Sequence, residues 1–387
     1  MSNYNVIICG SGPAGTTAGI LLSRHGLGVL VLDRKCFPRF KLCGGLLTWK
    51  TQQFLDRILG VDLKGAKTSG ILEGSFFKWG LGVDERPLLT GEMEHPFLLV
   101  DRKAYDSLLV RMLQRSGAVL RCPETVTDIE PETGMVKLLS GERLQGDFII
   151  GADGAMSVAR RKLASRGVTR PPFSRQAALA LETHVPCDAG DFPDFPCIHI
   201  GRVPSGYLWA FPGQKRQCLG IGSSDVRSAQ ELKGIFLQYC RSFGVDVSSC
   251  RIRGHPLPYG DFEVRPGCGR VLLCGDAAGL ADPLLGEGIF YAHYSGLLAA
   301  RAILESGKKP RAATKQYSGE MQEIVRELRC ARLWRKLTLH LLSPFDYALF
   351  RMLVSRYHPE LAQTVHGMRS FRWLRPRQWS KMPEGKV

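Results

Sequence analysis

A cysteine with unusual neighbours lies in the segment FPRFKLCGGLLTWKT, residues 37–51. Cys43 follows a lysine, Lys41, by two residues and directly precedes the glycine pair Gly44 and Gly45. Paired glycines remove side chains where another group must approach the backbone closely. Two roles for the thiol stay open: a packing residue, or a reactive group made more acidic by Lys41 if the two side chains converge. The glycine pair favours a ligand beside it.

A turn near the N-terminus has glycines at the spacing that is typical of dinucleotide-binding sites. Gly10, Gly12 and Gly15 form G-x-G-x-x-G after a predicted strand over Val6–Cys9. Gly10 permits the tight turn, Gly12 lets backbone amides reach a pyrophosphate, and Gly15 allows the following helix to pack closely on the strand. Asp33, at the end of the next predicted strand, is placed to accept hydrogen bonds from ribose hydroxyls.

Two later predicted strands also end in glycine and aspartate. The segment DFIIGADG carries Asp153 and the segment VLLCGDAAG carries Asp276, and a carboxylate at a strand end can hold a polyol chain. The sequence Gly286-Glu287-Gly288 then opens a predicted helix over residues 289–300, whose free N–H groups would face an electron-rich ring edge. Arg102 begins another predicted helix. Its side chain is either a cation that binds the ligand or a residue on the helix surface.

Taken in this order, the motifs resemble the glutathione-reductase-type flavoproteins of the aromatic-hydroxylase superfamily. Three segments, PRFKLCGG, GYLWAFP and PLLGEGIFYAHYSG, are more narrowly similar to the geranylgeranyl reductase family of FAD-dependent oxidoreductases. The resemblance covers roughly residues 5 to 300. It implies an α/β fold: a glutathione-reductase-type FAD-binding Rossmann domain, an antiparallel-sheet substrate domain and a helical C-terminal region.

The resemblance also implies contacts to FAD. The adenosine ribose would lie beside Asp33, the adenine beside the backbone of Val126, and the phosphates near Arg102. Asp276 would hold the ribitol or the pyrophosphate, and the helix start at Gly288 would approach the isoalloxazine ring. The implied FAD-binding residues are Gly10, Gly12, Pro13, Ala14, Gly15, Asp33, Arg34, Cys43, Gly44, Gly45, Arg102, Val126, Asp153, Asp276, Gly286, Gly288 and Ile289.

The implied activity is the reduction of carbon–carbon double bonds in a prenyl chain of the geranylgeranyl type, by hydride transfer from N5 of the reduced flavin. Addition across the bond also needs a proton. Cys43 and Glu287 are the candidate catalytic residues, and the alternative roles are packing for Cys43 and shaping of its turn for Glu287. Tyr207, Trp209 and Phe211 share one strand face, which predicts an apolar substrate cavity wall, a core face, or both.

Two other functions remain open on the same motifs. An FAD-dependent monooxygenase acting on an apolar substrate, a hydroxylase or halogenase, shares the cofactor fingerprints, but YLWAFP departs from the W-x-W-x-I-P motif of halogenases. A flavin- or lipid-binding protein without turnover would also keep the cofactor fingerprints. Because a single G-x-G-x-x-G is found, the expected electron donor is transiently bound NADPH or an acidic, ferredoxin-like protein.

Three regions are predicted along the chain. Tyr317, Met321, Ile324, Leu328 and Ala331 recur at spacings of four and three, which predicts a helix with one apolar stripe. The FAD-binding domain is expected to be discontinuous, and the remaining segments form the substrate domain and a basic helical region. The predicted boundaries are 1–60, 97–165 and 260–310 for FAD, 61–96 and 166–259 for substrate, and 311–387 for the helical region.

The chain is strongly basic, with a formal net charge of +16 over 387 residues. From Arg301 onward there are 18 Lys and Arg against 7 Asp and Glu, and the segment RSFRWLRPRQWSK mixes tryptophan with arginine as interfacial segments do. This charge favours acidic partners, such as an anionic membrane surface or the electron donor, and no nucleic-acid module is recognisable.

The expected location is cytoplasmic, with peripheral membrane association compatible with it. The N-terminus lacks a secretory signal, and no apolar window approaches the ~18 residues of a spanning helix. The 12 cysteines include no C-x-x-C pair, which predicts reduced thiols and no metal site.

Overall fold

The computed structural model describes residues 3–65, 70–84, 86–173, 178–248, 250–307, 309–341 and 347–372. Two eight-stranded sheets form its framework, and helices connect and cover them. This is the architecture that the sequence predicts.

The first sheet carries the dinucleotide motif. Its strands follow the order β15 (Gly267–Cys268), β16 (Val271–Leu273), β9 (Arg143–Gly151), β1 (Asn3–Cys9), β2 (Val29–Leu32) and β6 (Val119–Arg121), and β8 (Met135–Leu138) and β7 (Val126–Glu130) extend it beside β9. Parallel pairing places Ile7 of β1 between Leu30 and Ile149. Because the chain leaves β1 toward β2 on one side and returns through β9 on the other, a crevice opens at the carboxyl ends of these strands.

The second sheet is mainly antiparallel, and only the pairing of β11 with β4 is parallel among the described strands. It brings the aromatic strand β12 to its centre. Its order is β14 (Arg253–Leu257), β10 (Ala178–Pro186), β13 (Arg216–Ser223), β12 (Gly206–Pro212), β11 (Cys197–Ile200), β4 (Leu72–Val83), β5 (Arg86–Val100) and β3 (Leu46–Leu47). Leu46–Leu47 and residues 97–100 pair in this sheet, although they fall inside segments predicted for the FAD domain.

Eight α-helices are described. They are α1 (Pro13–Arg24), α2 (Trp49–Phe54), α3 (Arg102–Arg115), α4 (Val158–Ser165), α5 (Ala229–Ser242), α6 (Ile289–Glu305), α7 (Pro310–Leu341) and α8 (Tyr347–His366). A π-helical turn, Leu55–Leu59, continues α2, and a 3₁₀ turn, Gly275–Ala278, follows β16. Helices α1 and α6 pack on each other, and Gly296 permits this because a side chain there would meet the Ala14 carbonyl.

The C-terminal region is helical, as predicted. The five stripe residues of α7 are fully buried, and the Tyr317 hydroxyl donates to the carbonyl of Leu273 at 2.7 Å. Helix α8 packs through Phe350 and Val354 against Val83 of the second sheet. Of the predicted interfacial segment RSFRWLRPRQWSK, the part after Arg372 lies outside the described residues.

No helix in the described part of the chain combines the length and apolar character needed to cross a bilayer. All 12 cysteines are free thiols, and Cys9, Cys218 and Cys274 are buried, as expected for small core residues.

Candidate functional site

A cavity of about 1160 Å³ extends from the carboxyl ends of β1 and β9 to the face of β12 in the second sheet. All of the predicted FAD, catalytic and substrate-cavity residues line it, with the exception of Gly15. The fold therefore gathers predicted residues that are up to 279 positions apart around one space, since Gly10 and Ile289 both line it.

The glycine-rich turn shows three different steric requirements. A Cβ on Gly10, whose φ is +100°, would lie 2.3 Å from the Ala152 carbonyl oxygen, and one on Gly15 would lie 1.9 Å from the Gly10 carbonyl oxygen. Both glycines therefore serve close backbone packing, which explains why Gly15 does not line the cavity. A Cβ on Gly12 would meet nothing within 4 Å, so its backbone faces open cavity space, where the sequence predicts a pyrophosphate.

Two helices begin at the cavity with free N–H groups. The N-caps of α1 and α6, Gly12 and Gly288, are glycines without a capping side chain. Thr48 before α2 makes no cap because its hydroxyl donates to Glu287, whereas Asp101, Ser157 and Ser228 cap α3, α4 and α5. The first N–H groups of a helix need acceptors and carry its positive dipole end. The two uncapped starts thus offer donors to an anionic cofactor.

Asp33 fixes the glycine turn as well as facing the cavity. Its Oδ2 accepts hydrogen bonds from the Ser11 amide at 2.9 Å and the Ser11 hydroxyl at 2.7 Å, and its Oδ1 accepts from the Lys35 amide at 2.9 Å. A carboxylate accepts about four such bonds. One acceptor position remains for the ribose hydroxyl that the sequence predicts, and the link to Ser11 was not foreseen.

Asp153 presents a buried oxygen that fits a ligand donor. Its Oδ2 accepts from the amides of Val158 and Ala159 at 2.6 and 3.3 Å, while its Oδ1 is buried without a hydrogen-bond partner among the described residues. Burial raises the pKa of this carboxyl against the opposing effect of its hydrogen bonds, chiefly that from Ser157. A hydroxyl of a cofactor would satisfy the free oxygen.

Asp276 stands beside the start of α6. Its Oδ2 lies 3.7 Å from the Lys41 ammonium, and a Cβ on Gly288 would lie 3.5 Å from its Oδ1. Lys41 is therefore paired with Asp276, and an effect of Lys41 on Cys43 stays a prediction. A different cation lies beside Cys43.

The cation beside Cys43 is Arg102. Its guanidinium lies within hydrogen-bonding reach of the thiol, and its Nε and Nη2 bind Asp106 at 2.9 to 3.1 Å. Burial alone would lower the pKa of Arg102, but Asp106 and Cys43 raise it to a net value above the usual range. The Gly45 amide also donates to the Cys43 sulfur at 3.5 Å. A permanently charged, rigidly held group thus faces the thiol.

Protein atoms fill the side-chain space left by the glycine pair. A Cβ on Gly44 would lie 2.6 Å from the Phe211 ring and 3.3 Å from Trp209 Nε1, and one on Gly45, whose φ is +72°, would lie 2.4 Å from the Val100 carbonyl oxygen. The sequence interpretation assigned this space to a flavin. In the structure the pair lets the Cys43 loop pack on the second sheet, and its backbone contact with the cofactor stays a prediction.

The three aromatic residues of β12 serve as both core and wall. Trp209 and Phe211 belong to a buried apolar cluster with Leu42, and both line the cavity with Tyr207. The Tyr207 hydroxyl donates to the carbonyl of Leu285 in the loop before α6. The core-face interpretation is therefore observed together with a cavity wall, and the substrate that this wall would contact stays a prediction.

Glu287 is engaged in an ion pair with the buried residue Lys50, and its own side chain is partly exposed to the cavity. Its carboxylate contacts the Lys50 ammonium, and its Oε1 accepts from the Thr48 hydroxyl at 2.6 Å. The Lys50 ammonium also lies 5.1 and 4.9 Å from the ring centroids of Phe290 and Tyr291. These contacts suit a residue that shapes the turn before α6. Sequence reasoning missed Lys50, whose flanking residues resemble an ordinary helix surface.

A buried acid behind Cys43 was also missed. Glu182 of β10 is 1% exposed, and neither carboxylate oxygen has a hydrogen-bond partner among the described residues. Burial raises its pKa to about 7, opposed by the Cys218 thiol, the Cys43 amide, Arg102 and Arg253. The donor atoms of Glu182, His184 and Cys218 lie within 4.8 Å of one another. The only sequence signal is its alternating position in ALALETHV.

Comparison with known proteins places this site in a family. The FAD binding domain family matches residues 3–180. Geranylgeranyl diphosphate reductase from Rhodobacter capsulatus is 30% identical over 330 residues, 79% of this chain and 77% of that protein. Digeranylgeranylglycerophospholipid reductase from Methanocella arvoryzae is 26% identical over 344 residues, 83% of each protein.

Solved structures share the fold. A geranylgeranyl bacteriochlorophyll reductase-like protein from Thermoplasma acidophilum has a TM-score of 0.75 at 21% identity, covering 91% of this chain and 90% of that one. A flavin-dependent brominase has a TM-score of 0.69 at 19% identity, covering 95% and 94%. The cofactor of the present protein is FAD, and the cavity provides the uncapped helix starts and the free carboxylate oxygen that suit it. The chain is an FAD-dependent oxidoreductase and belongs to the geranylgeranyl reductase family.

Proposed function

We propose that the protein reduces carbon–carbon double bonds of a prenyl chain of the geranylgeranyl type. The observation that carries the proposal is the continuity of one cavity, from the two free helix starts to the aromatic wall of Tyr207, Trp209 and Phe211. Its volume of about 1160 Å³ exceeds the roughly 300–1,000 Å³ of a site for one small molecule. Room for an apolar chain beside a dinucleotide supports this substrate class.

The lining of the cavity changes along its length. Asp33, Arg34 and Lys35 lie at the end near β2, whereas Phe97, Ile198 and Val365 join the aromatic wall on the side of the second sheet and α8. Polar groups thus suit the phosphates and ribose, and apolar groups suit a hydrocarbon. The names of the relatives, which act on geranylgeranyl and digeranylgeranyl compounds, support the same assignment.

Reduction of an alkene adds a hydride to one carbon and a proton to the other. FAD, when bound and reduced, supplies the hydride. The chain supplies the proton, which we assign to the Cys43 sulfur. The Arg102 guanidinium and the Gly45 amide stabilise the negative charge that remains on sulfur when the proton leaves. Asp106 holds Arg102 in place before the reaction, so little reorganisation is required.

The start of α6 has an electrostatic role in this proposal. Its uncapped N–H groups at Gly288 and Ile289 place positive potential in the cavity and stabilise negative charge that develops there. Glu287 and Lys50 hold the turn that orients these groups. The alternative role for Glu287, a proton donor, requires its carboxylate to leave Lys50 and become protonated.

The electron donor is proposed to be either an acidic, ferredoxin-like protein or NADPH. The formal net charge of +16 supports an acidic protein because opposite charges accelerate encounter. Added salt would slow reduction by such a protein through screening. Reduction by NADPH at a catalytic rate that salt does not change would assign the role to the nicotinamide.

The proposed reaction is tested by mass spectrometry of prenyl lipids. FAD-loaded protein is reduced with dithionite without oxygen and incubated with candidate lipids, and each turnover should add two hydrogens. The rival monooxygenase should instead insert oxygen in air, and a binding protein without turnover should change neither sample. Unchanged lipids, or oxygenated products, would exclude the reductase.

A further inference from the structure

We propose that the protein docks on an anionic lipid membrane through the helix ends on either side of the α7–α8 connection. The docking face comprises Leu333 and Leu337 of α7 with Leu349, Arg351, Met352 and Arg356 of α8. This inference goes beyond the proposed reaction, because it concerns where the protein works and does not require a particular chemistry in the cavity.

The apolar residues of the docking face are unusually exposed. Leu333 is 65% exposed, Met352 60%, Leu337 44% and Leu349 42%. Single exposed apolar side chains are common, whereas a concentration of them marks an interaction surface. The other highly exposed large apolar residues of the described chain, apart from Tyr357 on α8, are scattered over different elements: Phe77, Val119, Leu139, Met156 and Val168.

These residues lie close to one point of the fold. Leu337 is four residues before the described end of α7, and Leu349 is two residues after the start of α8. At about 1.5 Å per residue, all four apolar side chains lie within roughly 12 Å of the helix ends along the axes. On α8 they project away from the protein, since the opposite side packs on the second sheet through Phe350 and Val354.

The charges of this region select the partner. Between residues 326 and 357, the exposed charged side chains that the structure describes are all basic: Arg326, Arg329, Lys336, Arg351 and Arg356. The described acid among them, Glu327, is buried and accepts hydrogen bonds from Ser370 and Phe371. Arginine and lysine interleaved with leucine and methionine match an anionic bilayer, where apolar stems enter the interface and cations meet phosphate groups.

Helix α8 joins the docking face to the cavity. Its first two turns carry Leu349 and Met352, and near its other end Val365 lines the cavity. The 16 residues from Leu349 to Val365 span about 24 Å. One helix therefore reaches from the proposed bilayer surface to the apolar end of the cavity, a placement that suits a ligand with a long hydrocarbon chain.

Vesicle flotation with the full-length, FAD-loaded protein tests the proposal. Wild-type protein should float with vesicles of phosphatidylcholine containing 30% phosphatidylglycerol and remain unbound with phosphatidylcholine alone. Each basic residue near an anionic surface contributes about fivefold to affinity, so R351Q/R356Q should weaken binding at least tenfold. L349S/M352S should weaken it at least tenfold through lost apolar contact. The matched control Leu139→Ser, on an exposed residue of another element, should bind like the wild type.

Several results would overturn the proposal. The first is wild-type protein that does not bind anionic vesicles, and the second is either double variant binding as tightly as wild type. The third is binding that appears only after removal of residues 373–387, because the full-length chain would then not dock. A dimer that L349S/M352S dissociates would assign the face to a second copy of the chain. Because these vesicles contain no prenyl lipid, the outcome is separate from the proposed reaction. Activity on a detergent-dispersed prenyl substrate should be equal in the wild type and both double variants.

Discussion

Replacing Gly44 with alanine tests what the glycine pair is for. The new Cβ would lie 2.6 and 2.7 Å from two carbons of the buried Phe211 ring, whereas ordinary carbon contacts are about 3.5–4.0 Å. The ring or the Cys43 loop must therefore move by about 1 Å. Overpacking of this kind costs about 1–3 kcal/mol, so G44A should lower the free energy of unfolding of the FAD-free protein by that amount.

A second substitution shows whether Phe211 is the cause. Phe211→Leu removes part of the ring and costs stability on its own, but it also clears space for the new methyl group. The double variant G44A/F211L should then be more stable than the sum of the single effects predicts, by at least about 1 kcal/mol. Gly45→Ala is the matched control, because its conflict is with the Val100 carbonyl and a left-handed backbone, which F211L cannot relieve.

Urea unfolding of the FAD-free proteins gives the free energies, and flavin fluorescence gives the FAD affinity of each variant. Overpacking against Phe211 is refuted if G44A unfolds like the wild type, or if the effects of G44A and F211L add within about 0.5 kcal/mol. An intact FAD-free G44A protein that binds FAD poorly would instead show that the flavin fills the space, as the sequence interpretation held.

Three further substitutions probe the cofactor end, the proton donor and the buried acid. Gly12→Ala should leave the FAD-free protein within about 0.5 kcal/mol of wild type yet weaken FAD binding at least tenfold in a fluorescence titration, because the methyl group enters open cavity space. Cys43→Ser should bind FAD normally and lose at least about 100-fold in turnover, the contribution of a general acid; full turnover would remove that role. Glu182→Gln should raise the free energy of unfolding by about 2–4 kcal/mol at pH 8 and leave it unchanged near pH 4, as urea melts at the two pH values would show. The sign follows because the pKa of Glu182 is about 7 in the folded protein, against 4.5 for a free glutamate, so the wild-type protein loses stability as the pH rises from about 4.5 to 7, while the glutamine variant mimics the protonated form.

The parts of the site that sequence reasoning predicted depend on local rules. The spacing of Gly10, Gly12 and Gly15 fixes a turn whatever surrounds it, and strand ends such as those before Asp153 and Asp276 meet at one edge of a parallel sheet. Alternation in GYLWAFP likewise places Tyr207, Trp209 and Phe211 on one face. These rules involve neighbours within a few positions, so the glycine turn, the strand ends and the aromatic face could be predicted without coordinates, whereas the family followed from the resemblance of whole segments.

The interactions that sequence reasoning missed join residues that are far apart in the chain. Arg102 meets Cys43 only because α3 and the loop after β2 converge, and the nearer lysine, Lys41, is drawn to Asp276 instead. Lys50 is buried because α6 covers it, and the residue pattern of its own helix α2 does not predict this burial. Charged residues are usually exposed, so a prediction from pattern alone assigns such groups to the surface.

The contacts of α8 explain why the C-terminal region is integral to the site. The Trp49 amide donates to His366 Nδ1 at 2.8 Å, and burial lowers the pKa of His366 to about 3, which keeps the ring neutral and able to accept. Directly after it, the Gly367 backbone packs on the stem of Lys50, whose ammonium holds Glu287 before α6. A side chain at position 367 would displace Lys50 and leave a buried carboxylate without its partner, a loss that costs about 3–5 kcal/mol. Helix α8 therefore has two separate roles: its first turns carry the proposed docking face, and its last residues secure the turn from which the cofactor-facing helix begins.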